Sequence, residues 1–310
     1  MPDTYVRAAR GRAGSSLLAR LMAILLAFHL WTSGPALAEE ARFTPTRFSV
    51  EVSGSGPDVI FIPGLSTPRD VWVPFAQKIA ARHRVHLVQI RGFGEPAGAN
   101  AEGPVLQPFV DELARYVEAN RIERPAVIGH SLGGLAALML GADHSELPGR
   151  LMIVDALPWY GVIVAPGVEL TVAQIEPQAG MLRDAMVASQ GRPADPAALE
   201  ATIGGFVVDK SNLPLLREWA GRIDQSVAGQ LVYEDLTTDL RERIARISAP
   251  ITLVYPWSEA MPQERAEPFY RRQYANAPQT RFVGIGPAAH FVMLDKPEDF
   301  MAALEAFLTE

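Results

Sequence analysis

Short apolar runs alternate with helix-patterned segments along most of this 310-residue chain. The runs predict strands at 59–62, 85–90, 125–129, 151–154, 251–255 and 281–285. Most of them are apolar on both faces, so each strand needs a covering layer on either side of its sheet. Helices that follow parallel strands supply those two layers. The sequence therefore predicts an α/β fold with a mostly parallel central sheet and helices on both faces.

Residues 158–247 interrupt this alternation. Helical patterns are found there at 181–188, 196–203, 213–223 and 239–247. We expect a helical cap at 158–247, inserted into a core formed by residues 39–157 and 248–310. The alternative is a series of ordinary helices that connect two strands of the sheet. A connection of this length would be unusually long for one crossover.

The first 38 residues have the three parts of a secretory signal peptide. Four arginines flank or precede the apolar stretch 21–31, and the sequence Ala36-Leu37-Ala38 ends the segment. A membrane anchor is the alternative, but the stretch is short for a span of ~20 residues. We expect cleavage after Ala38, export to the periplasm or the medium, and no stable membrane anchor afterwards.

Charge and cysteine content exclude several kinds of chemistry. Without residues 1–38 the chain has 24 Lys and Arg against 34 Asp and Glu, a formal charge of −10. Such a surface repels nucleic acid, so no nucleic-acid partner is expected. The chain has no cysteine, which excludes disulfides, a thiol nucleophile and Cys-ligated metals.

The sequence GHSLGG at 129–134 lies between a predicted buried strand and a predicted helix. A serine at such a turn is exposed at the end of its strand, as G-x-S-x-G nucleophiles require. Gly129 and Gly133 lack the Cβ atoms that would clash in so sharp a turn. The Leu132 N–H, at the start of the helix, would point toward the reaction centre. Ser131 is therefore the candidate nucleophile, with a structural turn serine as the alternative.

A serine hydroxyl needs a base to remove its proton. His290 follows the last predicted strand, and in a parallel sheet it would share the carboxyl edge with Ser131. The other histidines are placed less well: His29 is in the signal segment, His83 and His86 flank a strand start, His144 is in a polar loop, and His130 points the wrong way. His290 is the predicted base.

The chain resembles the α/β-hydrolase superfamily over residues 45–308. The resemblance rests on FIPGL at 61–65, GHSLGG, RGFG at 91–94, and His290-Phe291 followed by LDKPE at 294–298. It implies a triad in the order Ser, acid, His, and a second oxyanion donor in the Leu65 N–H. It also implies hydrolysis of a small-molecule carboxylic ester through an acyl-enzyme, with no cofactor and no metal.

Two carboxylates follow strands between Ser131 and His290. In most members of the superfamily the acid follows the later strand in the pattern strand, Gly, two residues, Asp. Here Pro256 replaces the Gly and Glu259 falls on the Asp position. Asp155 directly follows the earlier strand, where some members place the acid. We take Glu259 as the leading candidate and Asp155 as the alternative.

Aromatic residues of the cap, Trp159 and Phe206 among them, are expected to line an apolar substrate pocket, although each could instead be core. The same scaffold supports lactone or amide hydrolysis, perhydrolysis and C–C cleavage. Dehalogenases and epoxide hydrolases of the superfamily use Asp where this chain has Ser131. A ligand-binding receptor on a hydrolase scaffold is the alternative of another class, and an intact triad argues against it.

Overall fold

Aliphatic and β-branched residues build a seven-stranded sheet in the computed structural model, which describes residues 43–165, 167–192 and 194–309. The strands are β1 Phe48–Gly54, β2 Asp58–Ile62, β3 Arg84–Ile90, β4 Ala126–His130, β5 Arg150–Val154, β6 Ile251–Pro256 and β7 Arg281–Ile285. The predicted signal segment, residues 1–38, lies outside the described residues and stays a prediction.

The strand order is β1-β3-β2-β4-β5-β6-β7. Strand β1 pairs antiparallel with β3, and every other pair is parallel. The predicted mostly parallel sheet is thus confirmed. In the register of the central strands, His130 lies opposite Val154, and Val154 lies opposite Val254. Strands β4, β5 and β6 therefore end at one edge, and the residues that follow them meet there.

Helices cover both faces of the sheet, because successive strand residues are buried on opposite sides. Ile60 and Ile62 pack in one hydrophobic cluster, and Val59 and Phe61 pack in the other. The helices are α1 Val73–Ile79, α2 Leu106–Ala119, α3 Leu132–Asp143, α4 Val172–Ser189, α5 Pro196–Gly204, α6 Leu213–Ala220, α7 Gln225–Thr237, α8 Gln263–Gln273, α9 Val292–Asp295 and α10 Pro297–Thr309. None in the described ranges is both long and apolar enough to cross a membrane.

Helices α4 to α7 lie between β5 and β6, in the region predicted to be a helical cap. Helix α7 was not predicted from the sequence. Its residues Val227, Ala228 and Leu231 are fully buried in the larger hydrophobic cluster. Its Glu234 carboxylate accepts hydrogen bonds from the backbone N–H groups of Val105 and Leu106. This helix therefore joins the inserted segment to the core.

Candidate active site

Ser131 lies at the sharp turn between β4 and α3. Its backbone has φ 54° and ψ −123°, a left-handed conformation that is strained for a residue with a side chain. Its N–H donates to the Val154 carbonyl at 3.0 Å, which fixes the turn to the end of β5. The serine is thus presented at the carboxyl edge of the sheet, as the sequence predicts.

Three glycines allow this turn because the chain passes too close to them for a side chain. A Cβ on Gly129 would lie 2.1 Å from the Gly133 carbonyl oxygen. A Cβ on Gly133 would lie 2.4 Å from the Ile62 carbonyl oxygen, and one on Gly134 would lie 2.5 Å from the Ala156 Cβ. The turn between β4 and α3 is therefore packed against both the end of β2 and the segment after β5.

Two backbone N–H groups are available beside Ser131. Leu132 is the first residue of α3, so its N–H has no partner within the helix and carries the positive end of the helix dipole. The loop after β2 passes directly over the serine, since a Cβ on Gly64 would lie 3.1 Å from the Ser131 Cβ. Leu65 is the next residue of that loop. The predicted oxyanion donors are thus at the correct edge of the sheet.

His290 is held by a carboxylate from the end of β5. Its Nδ1 lies 2.6 Å from Asp155 Oδ2. Asp155 follows β5 directly, with φ 43°, and its own N–H donates to the Val254 carbonyl at 2.8 Å. Because β5 lies next to β4, the residue after β5 is the immediate neighbour of Ser131. The sheet edge therefore brings Ser131, Asp155 and the His290 ring together.

Glu259, the leading candidate for the acid, does not contact His290, and this part of the prediction is corrected. After β6 the Trp257 N–H donates to Ile285, and the Trp257 carbonyl accepts from Ala288. A tight turn follows, closed by the Ser258 N–H on the Met261 carbonyl, and Glu259 is exposed on it. Asp155, the alternative, is instead the carboxylate that pairs with the histidine.

A tyrosine from α8 supports Asp155. The Tyr270 hydroxyl donates to Asp155 Oδ1, so the two carboxylate oxygens have separate partners. Burial, and then the negative charge of Asp155, raise the pKa of Tyr270 well above its usual value, which keeps the phenol a donor. One turn later, the Tyr274 hydroxyl donates to the Ala156 carbonyl at 2.9 Å. Sequence reasoning missed both, since two tyrosines four residues apart are an ordinary helix pattern.

His130, next to the serine, acts on the backbone of the His290 loop. Its Nε2 lies 3.0 Å from the His290 carbonyl oxygen. Since a carbonyl only accepts, Nε2 is the nitrogen that carries the proton. Complete burial lowers the pKa of His130 well below its usual value, so the ring is neutral. His130 is therefore a structural partner of His290 rather than a base for Ser131.

The inserted segment is also tied to the His290 loop. The Phe206 carbonyl accepts from the Phe291 N–H at 3.0 Å. The Asp295 carboxylate accepts N–H bonds from Ala289 and from Val208. The Phe206 ring centroid lies 5.5 Å from that of His290, and the side chain is 37% exposed. Phe206 thus lies beside His290 with part of its side chain exposed.

Trp159, the other residue predicted to line the pocket, is a core residue, and that prediction is corrected. It is 1% exposed, and its indole N–H donates to the Leu236 carbonyl at 2.8 Å. It packs with Ile175 and Ala179 inside the inserted segment. A side chain so enclosed has no surface left for a substrate.

Asp235 on α7 is a carboxyl that the sequence did not single out. It is half-buried, and enclosure by protein raises its pKa to about 7, an effect that the charge of His290 opposes. Its charge also acts on Tyr160, whose pKa is raised mainly by burial. Asp235 is therefore near the site. In the described residues no group of three or more His, Asp or Glu side chains is arranged to hold a metal ion.

This site lies on a fold shared with known hydrolases. Residues 59–304 match the model of the alpha/beta hydrolase family. The chain belongs to the α/β-hydrolase family. Among curated proteins it is 27% identical, over 84% of this chain and 98% of the other, to a pimeloyl-[acyl-carrier protein] methyl ester esterase of Aeromonas hydrophila subsp. hydrophila. A second esterase with that name, from Aeromonas salmonicida, is 25% identical over 84% of this chain and 98% of its own.

Solved structures of this family have the same fold. An esterase from Exiguobacterium antarcticum superimposes with a TM-score of 0.70 at 18% identity, over 85% of this chain and 96% of its own. The enol-lactonase from Burkholderia xenovorans LB400 superimposes with a TM-score of 0.67 at 16% identity, over 85% of this chain and 96% of its own. The predicted superfamily and fold are thus confirmed, and the predicted carboxylesterase-like hydrolase agrees with the relatives.

Replacing Asp155 by Asn should lower kcat by roughly a thousandfold or more, because the amide no longer stabilises a protonated His290. Replacing the exposed Glu259 by Gln should change kcat less than about twofold. Both variants should keep the wild-type melting temperature within a few degrees. Steady-state ester hydrolysis measures the difference, and the opposite ranking would return the acid role to Glu259.

Tyr270→Phe removes one of the two hydrogen bonds to the Asp155 carboxylate. We expect kcat to fall by roughly three- to thirtyfold at unchanged KM, as for other partners that orient a catalytic group. Tyr274→Phe is the matched control, since Tyr274 lies four residues farther along and its hydroxyl donates to the Ala156 carbonyl instead of to Asp155. Equal kcat losses in both variants would show general loosening of α8 instead.

Asp235→Asn should stabilise the protein above neutral pH. Below about pH 4 the carboxyl is protonated in the folded and unfolded chain alike. As pH rises toward 7, the unfolded chain ionises while the folded one stays protonated, so folding becomes less favourable. The variant should gain roughly 1–4 kcal/mol in unfolding free energy at pH 8 and little at pH 4. Denaturant titrations at both pH values measure this, with the exposed Asp184→Asn as the control.

Proposed function

We propose that this protein hydrolyses carboxylic esters with Ser131 as nucleophile, His290 as general base and acid, and Asp155 as the carboxylate that orients the histidine. The observation that carries the proposal is the 2.6 Å hydrogen bond between His290 Nδ1 and Asp155 Oδ2 at the strand edge that bears Ser131. With Nδ1 bonded to a carboxylate, the proton stays on that nitrogen. His290 Nε2 is then the free base.

In the first half-reaction, the Ser131 hydroxyl attacks the ester carbonyl while His290 Nε2 takes its proton. The N–H groups of Leu65 and Leu132 stabilise the oxyanion, which is worth several kcal/mol in this type of site. The C–O bond to the alcohol then breaks, and the protonated histidine gives its proton to the leaving oxygen. The product of this step is an acyl-serine and a free alcohol.

In the second half-reaction, water takes the place of the alcohol. His290 removes a proton from the water, the resulting hydroxide adds to the acyl-serine, and the proton passes to Ser131 as the acid departs. Within the described part of the chain, the Ser131 hydroxyl and the His290 ring are not hydrogen-bonded to each other. Rotation of the serine side chain would align the two for proton transfer.

The environment of His290 favours the positive charge that the ring carries during this cycle. The imidazolium formed in each half-reaction lies beside Asp155, and Tyr270 keeps the far carboxylate oxygen bonded. The histidine is 17% exposed and its partner 14% exposed in their side chains. A charge pair that is this well shielded interacts more strongly than one in water.

The named relatives act on a methyl ester, and we propose small carboxylic esters as the substrate class of this chain. Phe206, with a free face beside His290, would contact the part of the ester nearest the carbonyl. A ligand-binding role without turnover would leave the Asp155–His290 pair without a purpose, although that pair costs folding energy to bury.

Ser131→Ala should lower the hydrolysis of 4-nitrophenyl acetate and butanoate by roughly 10⁴-fold or more, since the remaining groups cannot form the acyl-enzyme. Ser145→Ala, a serine in the loop after α3, should retain full activity. A stoichiometric fluorophosphonate adduct on Ser131, found by mass spectrometry, identifies the nucleophile. A folded wild-type protein that neither turns over these esters nor forms the adduct would support the receptor alternative.

A further inference from the structure

Asp235 occupies a position where helix α7 should be apolar. Val227 and Leu231 precede it by eight and four residues, so all three share one face of the helix. Val227 and Leu231 are both fully buried against the core. An acid at the third position of such a stripe costs stability, because a carboxylate loses its hydration there. The fold alone therefore does not account for an acid at this position.

The end of α7 that carries Asp235 is fixed to the segment that follows Asp155. The Leu236 carbonyl accepts from the Trp159 indole, and the Leu240 N–H donates to the Pro158 carbonyl at 2.8 Å. Residues 158 and 159 belong to the segment that leaves β5 just after Asp155. The last turn of α7 is therefore held at two points against the chain that leads out of the catalytic edge.

The charge of Asp235 interacts with groups of the active site. It acts on His290, and both Asp235 and Asp155 act on Tyr160. The neighbouring acid, Glu234, bonds instead the N–H groups at the start of α2. Asp235 thus lies within electrostatic range of the catalytic pair.

The carboxyl of Asp235 lacks a protein donor. Among residues 43–165, 167–192 and 194–309, none donates a hydrogen bond to it, whereas Asp155 and Asp295 each accept two or more. An acceptor that lies near the catalytic histidine and has no donor among the described residues matches a ligand that brings one.

We propose that Asp235 is a specificity-determining residue that binds a hydrogen-bond donor, a hydroxyl or an ammonium group, on the substrate close to the scissile ester. The proposal rests on the esterase function proposed above and narrows its substrate class. Such esters would bind with their donor group toward the last turn of α7 and their carbonyl toward the N–H groups of Leu65 and Leu132. Purely alkyl esters would leave the carboxylate without a partner, which is the cost that discriminates most strongly between analogues.

Two matched ester series test this at pH 8, where most of the Asp235 carboxyl is ionised. On the acyl side they are methyl butanoate, methyl 3-hydroxybutanoate, methyl 3-aminobutanoate and monomethyl succinate. On the alcohol side they are propyl, 2-hydroxyethyl and 2-(dimethylamino)ethyl butanoate. Acid release gives kcat/KM for each. In at least one series the wild-type protein should prefer a hydroxyl- or ammonium-bearing ester over its alkyl counterpart by about tenfold or more, and which ester wins identifies the donor.

Variants assign that preference to Asp235. In Asp235→Leu the preference should be lost or reversed. A melting curve followed by circular dichroism shows whether the variant is folded. Asp235→Asn keeps the shape of the side chain and should lose most of the preference for ammonium esters. The control is Asp184→Asn, an exposed acid on α4 of the inserted segment, which should behave as the wild type.

Three outcomes would overturn the proposal. The wild type could show no preference within either series, it could prefer monomethyl succinate, or Asp235→Leu and Asp235→Asn could lower all esters by the same factor. Failure of the esterase function itself looks different: no ester in either series would then show hydrolysis that depends on Ser131.

Discussion

The hydrogen bond between Asp155 and His290 depends on a sheet whose strands end at one level. Ser131 and Asp155 each follow a strand directly, and each donates its N–H to a carbonyl of the neighbouring strand, Ser131 to Val154 of β5 and Asp155 to Val254 of β6. Both have positive φ, so the chain turns sharply as soon as it leaves the sheet. Two strained residues on adjacent strands are therefore fixed by backbone bonds rather than by flexible loops. A histidine from a longer loop can then reach both.

The loop that carries His290 is positioned from several sides. His130 bonds its carbonyl, Asp295 bonds the N–H just before it, and the inserted segment accepts the N–H just after it. These contacts come from β4, from α9 and from the segment that follows α5. The histidine is thus the point where core and insertion meet. Any movement of the insertion would be transmitted to the base through the Phe206 carbonyl and the Asp295 carboxylate.

Much of this could be predicted from the sequence, because the signals were local. Ser131, with its glycines and its position between strand and helix, is specified by a few adjacent residues. The choice between Asp155 and Glu259 was not local, since both follow strands that end at the same edge. Three-dimensional pairing decides it: Trp257 is bonded to Ile285 at the end of β7 and to Ala288 in the loop that follows, and Glu259 is exposed on the turn beyond it. For Tyr270 and Trp159, no feature of the sequence distinguishes a residue that supports the site from one that lines the substrate pocket.

Helix α7 escaped prediction for a related reason. Its start has an ordinary signal, since Asp224 caps the N-terminus by accepting from Ser226 and Val227. Its end does not, because Asp235 interrupts the apolar stripe that Val227 and Leu231 begin. A chain selected for stability alone would continue that stripe with an aliphatic residue. Local rules of sequence fail most often where a residue serves the site rather than the fold. The failure to predict α7 thus has a physical origin in Asp235, a polar side chain at the position where the buried face of the helix would otherwise continue.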